Sequence, residues 1–154
     1  MIISQKNCVI FDSCKLMFPT LESTLKVSAG AKDTVEMVAR CKGENDLKII
    51  SEDCEPLKGQ FRVRLFVEFE LNEQIRRHPS FLLELDYVNQ RAEVLSFESN
   101  LFPHIRLDAY TEVEGHIYIN IVAKKDLETL CSNWLKQLKE LNYIPQWKEK
   151  IKSA

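Results

Sequence analysis

Apolar and polar residues alternate most regularly from Phe61 to Leu71. Phe61, Val63, Leu65, Val67, Phe69 and Leu71 fall on one side, and Arg62, Arg64, Glu68 and Glu70 share the other with a lone Phe66. A period of two puts successive side chains on opposite faces of a strand, so this segment predicts a strand with one buried face. Phe81 to Tyr87 repeats the pattern, with Phe81, Leu83, Leu85 and Tyr87 alternating against Leu82, Glu84 and Asp86. The polar stretch Asn72 to Ser80, containing Pro79, predicts a turn that pairs the two strands antiparallel. Cys8 to Phe18, Thr34 to Cys41 and Leu47 to Ser51 carry β-branched and aromatic residues between Gly and Asp/Asn clusters, and are expected to be strands, with turns near Gly30, Gly43 and Gly59.

The period changes in the last third. Asn100 followed by Leu101-Phe102-Pro103 has the form of a helix N-cap with proline in the first turn, predicting a helix from about 101 to 113 that ends before Gly115. Gly115 to Ile121 alternates again, as a short strand or an extended crossover segment. Asp126 is expected to cap a second helix, whose apolar positions Leu127, Leu130, Cys131, Trp134, Leu138 and Leu141 recur at the helical period. Strands first and helices last predict an α+β fold rather than alternating βαβ units.

Composition narrows the function classes. A chain of 154 residues with 45% hydrophobic and 29% charged residues suits one domain, and a net charge of -2 provides no basic field for nucleic acid. No stretch reaches the roughly 18 apolar residues of a membrane span. The first residues lack the pattern of a signal peptide, so the expected compartment is the cytoplasm. Five Cys at irregular spacing, without Cys-x-x-Cys, predict reduced and mostly buried thiols rather than disulfides. His78, His104 and His116 have no second ligand at helical spacing, so no metal or cofactor is expected. Short catalytic signatures are absent. The pairs Glu68/Glu70 and Glu84/Asp86 have the spacing of any solvated strand face, Cys131 lies on an apolar helix stripe, and the chain is expected not to be an enzyme. Apolar surface for binding or self-association remains.

Residues 101 to 135 carry a more specific pattern. Leu101-Phe102-Pro103-His104-Ile105-Arg106, then Gly115, Ile119-Asn120-Ile121 and Asp126-Leu127, resemble the SecB family of export chaperones in order and spacing. That family opens its first helix with Leu-Phe-Pro-Tyr-x-Arg, and the two alternating segments upstream resemble its central strands, so the similarity covers roughly residues 55 to 141. The expected organisation is a single SecB-like domain over 1–154, and the lysines near the C-terminus mark a basic tail over 142–154. The resemblance implies a four-stranded antiparallel sheet with two C-terminal helices packed on one side, assembling as dimers or dimers of dimers. It also implies ATP-independent holdase activity: binding of unfolded or pre-secretory polypeptides, or of one dedicated client such as an antitoxin. By position Tyr118, Ile119, Ile121, Leu127, Leu130 and Trp134 line the client groove, and Phe102, Ile105, Ala109 and Val113 form the oligomer interface. Leu82 and Glu84 match part of a contact with the motor SecA.

This chain departs from the family pattern where His104 replaces Tyr and where the tail ends Lys-Ile-Lys-Ser-Ala. The acidic position of the family's first strand falls near Cys14 or Lys15. An alternative resemblance is to a catalytically inactive ubiquitin-conjugating-like interaction module. Ala92-Glu-Val-Leu-Ser-Phe97, Phe102-Pro-His-Ile105 and Gly115-His-Ile-Tyr118 are similar to that fold's motifs, with Tyr118 in the nucleophile's place. The two readings diverge over residues 101 to 113: a helix there supports the chaperone, an extended loop the alternative.

Overall fold

A computed structural model describes residues 5–31, 33–55, 59–101, 103–143 and 148–153. The chain begins with two helices, α1 (Gln5–Met17) and α2 (Leu21–Ala31), and continues through β1 (Asp33–Ala39), β2 (Asp46–Glu55), β3 (Gln60–Leu71), β4 (Gln74–Asp86), β5 (Arg91–Ser99) and β6 (Ile105–Asp108). A short hairpin follows, β7 (Tyr110–Val113) and β8 (His116–Ile119), then the long helix α3 (Ile121–Glu140) and a last strand β9 (Lys148–Ser153). Seven strands form one antiparallel sheet in the order β6-β5-β4-β3-β2-β1-β9, and β7 and β8 form a separate two-stranded ladder. The α+β class is as expected. The finer architecture differs, with seven strands in place of four and with one C-terminal and two N-terminal helices in place of a C-terminal pair.

Each difference has a physical cause. Cys8 to Phe18 is helical because Ile10, Phe11, Cys14, Met17 and Phe18 recur every three or four residues, and all five are buried. Gly30 lies inside α2 rather than in a turn, whereas Gly43 and Gly59 do turn the chain at positive φ. The strand expected at Phe81 begins at Gln74, because Asn72 and Glu73 alone make the turn, both at positive φ as a two-residue type I′ hairpin requires. Pro79 is tolerated inside β4 because the β3–β4 register shifts between Phe66 and Glu68, where no ladder bond is needed from it. The helix expected over 101–113 is absent from the described residues, and strands β6 and β7 occupy that stretch. Ile105 and Leu107 alternate with Arg106 and Asp108, and the open edge of β5 supplies the backbone partners that favour the extended form. Asn100 caps no helix: its Oδ1 accepts the Arg77 N–H at 2.6 Å and ties the end of β5 to β4.

One sheet face is apolar and covered by the helices. Phe61, Val63 and Leu65 of β3 and Phe81, Leu83 and Leu85 of β4 meet the buried stripes of α1 and of α3. Phe81 stacks between Phe97 and Trp134, with ring centroids 5.2 Å away in each case. The opposite face carries cross-strand ion pairs, Arg62–Glu84 at 3.2 Å, Arg64–Glu52 at 2.8 Å and Lys48–Glu68 at 2.6 Å, which engage one carboxylate of each pair spaced by two. Phe66, on this polar face, is nonetheless fully buried, with the Arg77 guanidinium 4.1 Å above its ring. After α3, the buried Tyr143 donates its hydroxyl to the Asn45 carbonyl at 2.7 Å. That bond leads the chain back toward β1, where residues of the expected basic tail pair antiparallel as β9. Among the described residues no helix is long and apolar enough to cross a membrane.

Asp86 closes the β4–β5 turn. Its carboxylate accepts the Val88 and Asn89 backbone N–H groups at 3.1 and 3.0 Å and the Asn89 side-chain amide at 2.8 Å, with Arg91 at 3.7 Å. Burial alone raises its pKa, but the Asn89 donors, Arg91 and Val88 outweigh burial and hold it below the ordinary carboxylate value. A depressed folded pKa stabilises the fold above the unfolded value of 3.8, and the contribution is lost as pH falls through the folded value. Asp86→Ala is expected to cost about 2 kcal/mol at neutral pH. Urea titrations should show the gap to wild type narrowing at pH 3, and an unchanged gap would count against this assignment.

Candidate polypeptide-binding surface

The β7–β8 hairpin turns at Glu114 and Gly115, with φ of 51° and 82°. Both central residues of a type I′ turn have positive φ, so glycine relieves half of the backbone strain here. A Cβ on Gly115 would meet nothing within 4 Å, so the need for glycine is conformational rather than steric. Register pairs Val113 with His116, Glu112 with Ile117, Thr111 with Tyr118 and Tyr110 with Ile119. Tyr110, Glu112, Ile117 and Ile119 therefore share one face, and Thr111, Val113, His116 and Tyr118 the other.

An isolated two-stranded ladder is marginal in water, and this one is held at its root. The Ala109 N–H donates to the Leu95 carbonyl at 2.9 Å and the Asn120 N–H to the Ala109 carbonyl at 2.8 Å. The Asn120 side-chain amide donates to the Asp108 carbonyl and to Thr111 Oγ1, both at 2.9 Å. Beside this root Glu93 of β5 accepts the Tyr110 hydroxyl and lies 3.1 Å from the Lys124 ammonium of α3. Burial works against the Lys124 charge, but Glu93 and Tyr110 overcome it and raise the Lys124 pKa. Burial, then Glu93, raises the Tyr110 pKa as well, so the phenol stays protonated and donating. Sheet, hairpin and helix meet in this three-residue contact.

An open cavity of about 430 Å³ lies between the polar sheet face and the hairpin. Arg62, Leu82 and Glu84 line it from the sheet, and Tyr110 and Ile117 from the hairpin. Leu82 and Glu84, the pair that the resemblance assigns to SecA, thus sit beside the hairpin, with Glu84 engaged by Arg62.

Beyond its root the hairpin is exposed and apolar on both faces. Ile117 is 71% exposed, Tyr118 55% and Val122 74%, with Ile119 and Ile121 about half exposed. Three of the expected groove residues, Tyr118, Ile119 and Ile121, are thereby adjacent on one arm, and Leu130 is exposed farther along α3. Leu127 and Trp134 are not groove residues; both are buried against the sheet, because the helical stripe that made them candidates is the stripe that packs the core. Of the expected oligomer interface, Ile105 and Val113 are exposed, Phe102 lies outside the described residues, and Ala109 is fully buried at the hairpin root and cannot reach a partner. Ile117 and Val122 were missed by sequence reasoning. The signal was present: apolar residues at three consecutive positions, 117 to 119, place large side chains on both faces of one strand.

Compared with known proteins, the chain matches no family model, no curated protein and no solved structure. Chemistry must be read from the residues alone. Burial pushes the Cys14 thiol up to about 12 and raises Cys131 well above its ordinary value, which keeps both as unreactive thiols in the α1–α3 contact. Among the described residues no group of three or more His, Cys, Asp or Glu is arranged to hold a metal ion.

Proposed function

We propose that this chain is a non-enzymatic polypeptide-binding module whose docking element is the β7–β8 arm with the first turn of α3. The exposed run Ile117, Tyr118, Ile119, Ile121 and Val122 carries the proposal. Fully burying one such side chain is worth about 1.5–3 kcal/mol, a gain the free chain forgoes at five adjacent positions. An extended polypeptide matches this arm on two counts: alternating side chains cover the isoleucines, and its backbone pairs with an open strand edge. The holdase role implied by the SecB resemblance has this physical basis, carried on a different architecture from that family's.

One observation favours a second reading. Residues 105–108 and 110–113 are strands rather than the helix that the chaperone resemblance implies, which leaves a place for the ubiquitin-conjugating-like interaction module holding a dedicated folded partner, although that reading expects a loop there.

A fluorescently labelled, reduced and carboxymethylated protein, permanently unfolded, tests the first reading. Its anisotropy should rise and saturate at micromolar concentrations of this chain. Ile117→Asp combined with Val122→Asp should weaken binding by at least ~10-fold, about 1.4 kcal/mol, with the far-UV circular dichroism unchanged. Absence of binding, or equal binding by the double variant, would overturn it. Suppression of light scattering from a heat-aggregating client would separate holdase action from the dedicated-partner reading.

A further inference from the structure

Among the described residues, no strand pairs with the outer edge of β8. Which groups that edge offers follows from the turn. In a two-residue hairpin the pair flanking the loop, Val113 with His116, is hydrogen-bonded, and bonded and non-bonded pairs alternate away from it. The bond from the Asn120 N–H to the Ala109 carbonyl at 2.8 Å falls where this alternation places one. Ile117 and Ile119 are therefore non-bonded partners of β7 and direct their N–H and C=O groups outward, while Tyr118 directs its own toward β7.

We propose that in the free protein this edge is occupied by a second copy of the chain, joined antiparallel about a two-fold axis at Tyr118. The inference rests on the arm being the docking element and names its resting partner. Self-pairing satisfies the edge completely: Ile117 exchanges two hydrogen bonds with the partner's Ile119, Ile119 does the same with the partner's Ile117, and the two Tyr118 residues face each other as a non-bonded pair. The isoleucines of both copies then pack on one face of a four-stranded sheet, and the tyrosines on the other.

Charge supports self-association. The hairpin tip carries Glu112 and Glu114, and the first turns of α3 carry the exposed Lys125 and Asp126. Antiparallel pairing sets the acidic tip of each copy beside the α3 N-terminus of the other, where the helix dipole and Lys125 attract it and Asp126 opposes, whereas a parallel arrangement would bring the two acidic tips together. The centre is uncharged, and a net charge of -2 per chain opposes association little. A dimer of this kind covers the arm, so an extended client must compete with the second copy.

Sedimentation velocity at micromolar concentration is expected to give a species of twice 18.0 kDa. Ile119→Pro removes an N–H that the hairpin itself does not use, and should weaken the dimer by at least ~10-fold while the far-UV spectrum is retained. Tyr118→Cys in a Cys8→Ser background should form a disulfide-linked dimer on mild oxidation, since facing non-bonded positions have Cα atoms about 4.5 Å apart, within disulfide reach. Thr111→Cys, on the other strand, should not. A strictly monomeric wild type, or a dimer indifferent to Ile119→Pro and not cross-linked through position 118, would overturn the inference. A monomer that still binds the carboxymethylated chain refutes the dimer alone, whereas a β8-linked dimer whose unmutated protein binds no carboxymethylated chain even when diluted until it dissociates refutes the function proposed above.

Discussion

Phe81→Ala is expected to cost about 3–5 kcal/mol of stability, the range for removing a large aromatic side chain from a packed core. Phe81 is 1% exposed in the middle of β4 and lies between Phe97 of β5 and Trp134 of α3. It is one of the residues through which the sheet holds the long helix. A truncated side chain leaves a void against Trp134 that neither the sheet nor a 20-residue helix can close by a small shift. Urea denaturation followed by tryptophan fluorescence should show the midpoint falling with the slope retained. A loss below about 1 kcal/mol would mean that α3 is not docked on the sheet through this contact. The consequence extends to the arm, because the same helix starts at the hairpin root and its docking fixes where the arm projects.

Sequence pattern succeeded where a single period fits. β3 and the second half of β4 follow from alternation, β1 and β2 from β-branched content between turn signals, and the body of α3 from the stripe of Leu127, Cys131, Trp134 and Leu138. It failed where two periods fit the same residues. Phe102, Ile105, Ala109 and Val113 recur at helical spacing, while Ile105, Leu107 and Ala109 recur at strand spacing, and the Leu-Phe-Pro cluster weighted the choice toward helix. What decides the matter is nonlocal: the open edge of β5, which the residues of 105–108 can satisfy only as a strand. The same holds for β9, whose partner β1 lies more than a hundred residues earlier. In α1 the apolar residues are dense enough that strand propensity obscured the helical spacing.

The candidate surface was legible to the same extent. Tyr118, Ile119 and Ile121 stood out by position on an alternating segment, and they are exposed together. Leu127 and Trp134 could not be separated from them by sequence, because a groove-lining stripe and a core-facing stripe have the same period. Only burial in the core distinguishes the two. Ala109 shows the reverse: a small residue chosen for an interface is buried because the chain must pass close to β5 to hang the hairpin from the Leu95 carbonyl.

Lys124→Met should unpin the arm without disturbing the core. Lys124 and Glu93 are 12% and 19% exposed, so deleting the ammonium leaves a largely desolvated carboxylate whose remaining partner in this contact is the Tyr110 hydroxyl. Breaking a fully buried pair costs about 3–5 kcal/mol, and at this partial burial about 2 kcal/mol is expected. Pairing the change with Glu93→Leu should restore much of the loss, because no unpaired charge is then left behind. The direction with pH is fixed by the raised pKa values. Lys124 and Tyr110 both contribute stability that is complete below their unfolded values near 10 and is lost as pH rises through the folded ones. Wild type should therefore weaken between pH 8 and pH 10.5, and Lys124→Met should weaken less over that interval. Part of the slope will persist in the variant, since burial also raises Tyr87, Tyr143 and Cys14. Amide hydrogen exchange gives the local readout: protection at Asn120, whose N–H bonds the Ala109 carbonyl, should fall in Lys124→Met more than protection in β3. Equal loss in both places would show that the contact supports the whole sheet, and unchanged protection at Asn120 would show that the arm is held by its backbone bonds alone.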